Sequence, residues 1–166
     1  MNKIQNQHGL TLVELLATLA LMSVVITLAF SVLLNGIRAS DNIQKESALR
    51  NEADFLMTSL IRELYVMKES EIIETQFPAK TSTNYYLNTN LGERTGFIDN
   101  QVVVANVPQQ ISDSKILLLP SKIAKIDNGQ YEVTLILKMT GDRPKEMSFI
   151  NVVRTINDIK KVEEDI

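Results

Sequence analysis

Glu14 is the residue with the most unusual chemical setting in this chain. It is one carboxylate at the leading edge of an otherwise uncharged apolar run, GLTLVELLATLALMSVVITLAFSVLL, over residues 9–34. An acid inside or beside such a segment costs about 3 kcal/mol to place in hydrocarbon, so its presence points to a task, and the partner it asks for is a cation. Elsewhere the inventory for catalysis is thin. The single histidine, His8, precedes the apolar run, and cysteine is absent, which excludes a thiolate nucleophile, a disulfide and a cysteine-ligated metal site. Asp99, Asp113, Asp127 and Asp142 fall among turn residues, where a short carboxylate caps backbone amides more often than it catalyses or binds calcium. No glycine-rich phosphate loop occurs. The reading is therefore of a protein that is not an enzyme, with no catalytic residue, no metal ligand and no cofactor assigned. Lys115, Lys122, Lys125 and Lys138 could form a local basic patch for DNA. Against that stand 17 basic and 20 acidic residues with 5% aromatics in the whole chain, and the common use of lysines to protect a sheet edge.

What positions Glu14 is the apolar run itself. Residues 15–34 contain no charge, Gly or Pro; at ~1.5 Å rise per residue, 20 residues span ~30 Å, the thickness of a bilayer's hydrocarbon core. The chain is read as membrane-inserted, in contact with lipid through this segment. Ahead of it lies a short polar leader, MNKIQNQHG, whose Lys3 and amino terminus favour the cytoplasmic side. An ordinary secretory signal has a shorter core followed by a small-residue cleavage site, whereas this one ends in NGIRAS, with bulky Ile37 and charged Arg38. A plain single-span anchor accounts for the run but not for the residues at its start.

Those residues, Gly9, Leu10, Thr11, Leu12, Val13 and Glu14 followed by the apolar helix, resemble the start of the type IV prepilin family. The resemblance covers roughly the first 35 residues. It implies a cut between Gly9 and Leu10 by a prepilin peptidase, N-methylation of the new Leu10 amine, and subunit assembly through Glu14, which neutralises the amine of a neighbouring subunit. The implied partners are the peptidase, other pilin or pseudopilin subunits and an inner-membrane assembly platform. Two features depart from the commonest family pattern. Leu10 stands where Phe is usual, and no Gly or Pro interrupts the membrane segment, leaving Ser23, Thr27 and Ser31 as its soft spots. The expected function is a structural subunit, pilin or minor pseudopilin, of a type IV pilus or a type II secretion or competence-like fibre. A minor subunit is favoured by size, the lack of cysteine and a loose likeness of RNEADFLMTSLIREL to tip-initiating pseudopilins. The alternative is a single-span membrane-anchored sensor or interaction module that does not enter a fibre.

The organisation follows: residues 1–9 a cleaved leader, 10–35 a transmembrane and assembly helix, and 36–166 a soluble domain outside the cytoplasm, displayed at the cell surface after assembly. Residues 38–68 lack Gly and Pro, and Leu49, Ala53, Leu56, Met57, Leu60, Ile61 and Leu64 recur at helical spacing, with Arg50, Asn51, Glu52, Ser59 and Glu63 opposite. If Gly36 is spanned, one helix runs from about Leu12 to Lys68; otherwise Gly36 is a hinge. Beyond Pro78 the period shortens, predicting strands at 85–87, 102–107, 116–119, 123–126, 131–139 and 147–153, with 89–101 a loop. Asp127, Asn128 and Gly129 predict a type I′ hairpin, and 141–144 a second reversal. In 131–139 the alternation places Tyr131, Val133, Leu135, Leu137 and Met139 on one face. The tail KKVEEDI reads as a solvated end. The fold class is α+β, a long N-terminal helix packed on an antiparallel β-sheet, pilin-like.

Overall fold

The structure is a computed structural model describing residues 11–76 and 83–158. The helical period of the N-terminal third becomes one element, α1, Leu12–Val66, which passes through Gly36 without a break. Gly36 is thus spanned, and a side chain there would meet nothing within 4 Å. By its contacts the chain divides into two compact units, Met1–Gln44 and Lys45–Ile166.

In the second unit α1 buries Leu49, Ala53, Leu56, Met57, Leu60 and Leu64, the face that the spacing predicts, while Ile61 sits at its margin. Burying each leucine is worth about 1.5–3 kcal/mol, which is how packing holds a helix that helix propensity alone would leave marginal. Glu52 corrects the expected solvated face: it is only 7% exposed. The segment carrying Ile111 packs against the core on that side, and the Ser112 N–H donates to the Glu52 carboxylate at 3.1 Å.

Two antiparallel sheets replace the single one expected. The first is a meander of β1 (Ile72–Gln76), β2 (Tyr85–Thr89), β3 (Arg94–Ile98), β4 (Gln101–Val104) and β5 (Val107–Gln109), in that spatial order. The second comprises β6 (Ile116–Leu118), β7 (Lys122–Asp127), β8 (Gln130–Met139) and β9 (Lys145–Arg154). β8 lies at its centre: β9 pairs with it along ten residues, while β6 and β7 share its other side. Ser121 closes the gap between β6 and β7, its hydroxyl accepting from the Ile136 N–H and donating to the Leu119 carbonyl, both at 2.9 Å. Tyr131, Val133, Leu135, Leu137 and Met139 all point into the core, where they join Leu87, Phe97 and Val102 from the first sheet.

The turns hold the remaining corrections. The expected loop over 89–101 contains β3, disguised by Gly96. At this position a Cβ would come within 2.3 Å of the Tyr85 carbonyl oxygen, so the close approach of β2 requires glycine. The expected strand over 102–107 is split by Ala105 and Asn106, at φ 48° and 66°. Asp99 and Asn100, at φ 50° and 60°, turn β3 into β4 in the same way. These are the two-residue turns with positive φ at both positions, the type I′ pattern. At the turn where that pattern was expected, only Gly129 has positive φ, and the register shifts between Lys125 and Asp127, so the hairpin is present but bulged. The reversal between β8 and β9 falls where expected. The tail KKVEEDI lies outside the described residues.

Candidate processing and assembly site

Gly9 and Leu10, the expected cleavage pair, lie outside the described residues, so the geometry of the site begins at Thr11. Thr11 precedes the first helical residue, and Glu14 is in the first turn of α1. The Thr11 N–H donates to Glu14 Oε2 at 3.0 Å and its hydroxyl donates to the same oxygen at 3.1 Å. In return the Glu14 N–H donates to Thr11 Oγ1 at 3.3 Å. This is a capping box, in which a Thr and a Glu three residues apart satisfy each other's backbone donors at a helix start. Sequence reasoning identified Glu14 but missed Thr11, although the T-x-x-E spacing that signals such a cap was present in the hexamer. One carboxylate oxygen is engaged by the cap. Oε1 has no hydrogen-bond partner among the described residues and remains an acceptor for a cation.

Residues 12–34 of the first unit form an exposed apolar surface. Leu12, Val13, Leu19, Val25, Leu28 and Val32 are all more than half exposed, and the helix carries an 18-residue window of mean hydropathy 2.4 with none of it buried. The hydroxyls in this stretch are turned back onto the helix: Thr18 donates to the Leu15 carbonyl at 2.9 Å, Ser23 to Ala20 at 2.7 Å and Thr27 to Ser23 at 2.8 Å. Satisfied in this way, they are compatible with hydrocarbon, where an unpaired hydroxyl is costly. Two of the three expected soft spots, Ser23 and Thr27, therefore interrupt nothing.

Several charges of the second unit have structural partners. Asp113 Oδ1 accepts from the Lys115 N–H and Asp127 Oδ1 from the Asn128 N–H, both turn caps, while Asp99 exchanges hydrogen bonds with Asn84. Among the described residues no group of three acidic side chains lies close enough to hold a metal. Of the four lysines, Lys125 is set apart from Lys122 and Lys138 by the register of the sheet. Lys125 pairs across the sheet with the buried Tyr131 and forms an ion pair with Glu69, whereas Lys138 and Lys122 lie opposite Leu117 and Thr134 on the other face.

Glu69 is the most constrained carboxylate. It follows α1 in a short 3-10 turn, Glu69–Glu71, and is 6% exposed. It accepts from Tyr131 Oη at 3.2 Å, from Thr155 Oγ1 at 3.1 Å and from Lys125 Nζ. Burial pushes its pKa up, but the lysine, threonine and tyrosine donors outweigh burial and hold it below the ordinary glutamate value. Tyr131 is shifted upward, by burial first and then by the adjacent carboxylate. The backbone reinforces this clasp: the Glu69 N–H donates to the Ile156 carbonyl at 2.9 Å and the Ile156 N–H to that of Met67 at 2.8 Å. On the surface, Glu46 is drawn down to about 2 by hydrogen bonds from Arg50 and Lys145.

Residues 4–30 match the family model described as the prokaryotic N-terminal methylation motif, and this match includes both the expected cleavage pair and the Thr11 and Glu14 cap. The chain has no significant match among curated proteins or among solved structures.

Proposed function

Starting from a type IV prepilin-like protein, membrane-anchored by an apolar N-terminal helix and a substrate of prepilin peptidase, we propose that the chain works as a minor fibre subunit rather than as an enzyme. The peptidase cuts between Gly9 and Leu10. The Leu10 amine, which keeps its charge when methylated, is then a cation in a medium where lone charges are costly. Glu14 of a neighbouring subunit neutralises it and sets the register between helices, while the exposed apolar surface of residues 12–34 exchanges lipid for the same surface of other subunits. The observation that carries this reading is the methylation motif joined to a carboxylate, one oxygen of which has no hydrogen-bond partner among the described residues, at the start of an exposed apolar stretch of helix. The soluble unit, outside the cytoplasm, becomes the fibre's outer surface.

Mass spectrometry of the protein from its native membrane tests the first step. The expected terminus is a methylated Leu10; a terminus at Met1, or one after Ala39, would overturn the assignment. The second step is tested with Glu14→Ala, expected to insert and be cut normally yet to be missing from sheared surface fibres. If the processed wild-type chain also stays in the membrane and never appears in fibres, the protein is a membrane-anchored interaction module.

A further inference from the structure

We propose that β9 is a docking edge that accepts an extended segment of another polypeptide as an added antiparallel strand. Every other open edge among the described strands carries a feature that discourages such pairing. β1 is irregular between Ile72 and Glu74, and β7 between Lys125 and Asp127. β5 has three residues, one of them Pro108, and β6 also has three. Short, bulged or proline-bearing edges make poor templates. β9 has none of these. It runs ten residues, pairs with β8 from Gln130↔Arg154 to Met139↔Lys145 without a shift, and pairs with no other described strand. Its centre, MSFINVV at 147–153, contains no charge, Gly or Pro. On the face away from the core, Ile150 is 64% exposed and Val152 46%. A strand of this composition, left bare, is an aggregation template, and its open row of N–H and C=O groups is complementary to one thing, another extended backbone.

The charges say what that backbone carries. Alternate residues share a face, so Glu146, Ser148, Ile150, Val152 and Arg154 lie together on the exposed side, with the two charges closing either end of a stretch that is apolar apart from Ser148. An antiparallel partner therefore presents a basic residue opposite Glu146, an acidic one opposite Arg154, and aliphatic or aromatic residues between. The β9 sequence itself fits this description: centred on Ile150, a second copy sets Glu146 against Arg154 and Met147 against Val153. A second copy in the same fibre is still the wrong occupant. A β9 pair of identical chains is related by a two-fold axis, whereas subunits that add to a fibre in one direction make head-to-tail, heterologous contacts that contain no two-fold. That step rests on the proposed function above; the open edge does not.

The probe is a synthetic peptide of the sequence KEMSFINVVRT, residues 145–155, added to the full-length chain in detergent micelles. The expected result is one peptide per chain, with hydrogen-exchange protection gained by alternate β9 amides, those directed away from β8, and none lost in β8. Arg154→Glu in the protein should weaken binding about fivefold, and a peptide carrying Glu146→Arg should restore it. Failure to bind, binding that leaves those amides unprotected, or indifference to the charge exchange overturns the proposal. A peptide-free dimer that Arg154→Glu dissociates would replace the heterologous partner with a second copy.

Discussion

Glu69→Gln separates a clasp that depends on charge from one that depends on shape. The substitution keeps the volume and one acceptor but removes the charge that Tyr131, Thr155 and Lys125 converge on. Hydrogen bonds to a charged acceptor contribute roughly 1 kcal/mol more than neutral ones, so the tyrosine and threonine bonds together lose about 2 kcal/mol. Lys125 is 37% exposed, so water relieves most of its loss and adds no more than about 1 kcal/mol. The expected destabilisation of the soluble unit at pH 7 is about 3 kcal/mol, or a Tm lower by roughly 10 °C for a domain of this size. The pH dependence gives the decisive readout. Glu69 has a folded pKa below its unfolded value of 4.5, so its stabilisation is present above pH 4.5 and is lost as pH falls through the folded value. Urea unfolding of wild type and variant should therefore converge on acidification. A gap that stays constant from pH 7 to pH 3, or one under about 1 kcal/mol at pH 7, would refute a charge-dependent clasp. On the alkaline side Tyr131, with a folded pKa above 10.0, loses its contribution as pH rises past that value, and Tyr131→Phe should abolish this loss.

Leu60→Asp, which puts a charge without a partner into the face of α1 against the sheets, should abolish the cooperative unfolding transition of a soluble fragment beginning at Arg38, followed by circular dichroism. Thr134→Val should raise stability by about 1 kcal/mol in urea, because the buried Thr134 hydroxyl has no hydrogen-bond partner among the described residues and valine keeps its shape. Gly9→Val, adding bulk at the scissile position, should accumulate uncut precursor visible by mass spectrometry.

The elements legible in the sequence are those whose burial repeats over many residues. Along α1, Leu49 to Leu64 reinforce one another at helical spacing, and in β8 five consecutive alternate positions are apolar, so no single substitution obscures either pattern. What stayed hidden depends on single residues or on distant chain. Asp99, Asn100, Ala105 and Asn106 take positive φ without a glycine to announce it, so β3, β4 and β5 were read as one loop and one strand. Glu52 and Glu69 look solvated by local pattern. They are buried because Ser112 lies 60 residues away along the chain and Thr155 86 residues away, and both return to supply donors. β1 was missed altogether, since nothing in IIETQ distinguishes a short strand from the end of a helix. Of the candidate site, Glu14 was legible because a lone acid at the edge of an apolar run stands out at once, whereas Thr11 drew no attention as one polar residue in a motif read for cleavage.

The cap that Thr11 forms raises a physical alternative for Glu14, since a carboxylate that closes a helix start needs no neighbouring subunit to explain its presence. Substituting a capping side chain by Ala typically costs about 1 kcal/mol, concentrated in the first turn. Both residues of the box make that contribution, because the hydroxyl and the carboxylate satisfy each other's backbone N–H. If capping were the whole role of Glu14, Thr11→Ala and Glu14→Ala would reduce fibre entry alike. Oε1, without a hydrogen-bond partner among the described residues, predicts otherwise. Thr11→Ala removes one donor to Oε2 but leaves the negative charge, and that charge is what the Leu10 amine of a neighbouring subunit requires in hydrocarbon. The Thr11→Ala chain should therefore be cut and appear in sheared fibres at near wild-type levels, whereas Glu14→Ala should be cut and absent. Glu14→Gln, which retains an acceptor for the cap and loses only the charge, should follow Glu14→Ala. Its recovery in fibres at the wild-type level would show that the residue caps the helix and nothing more.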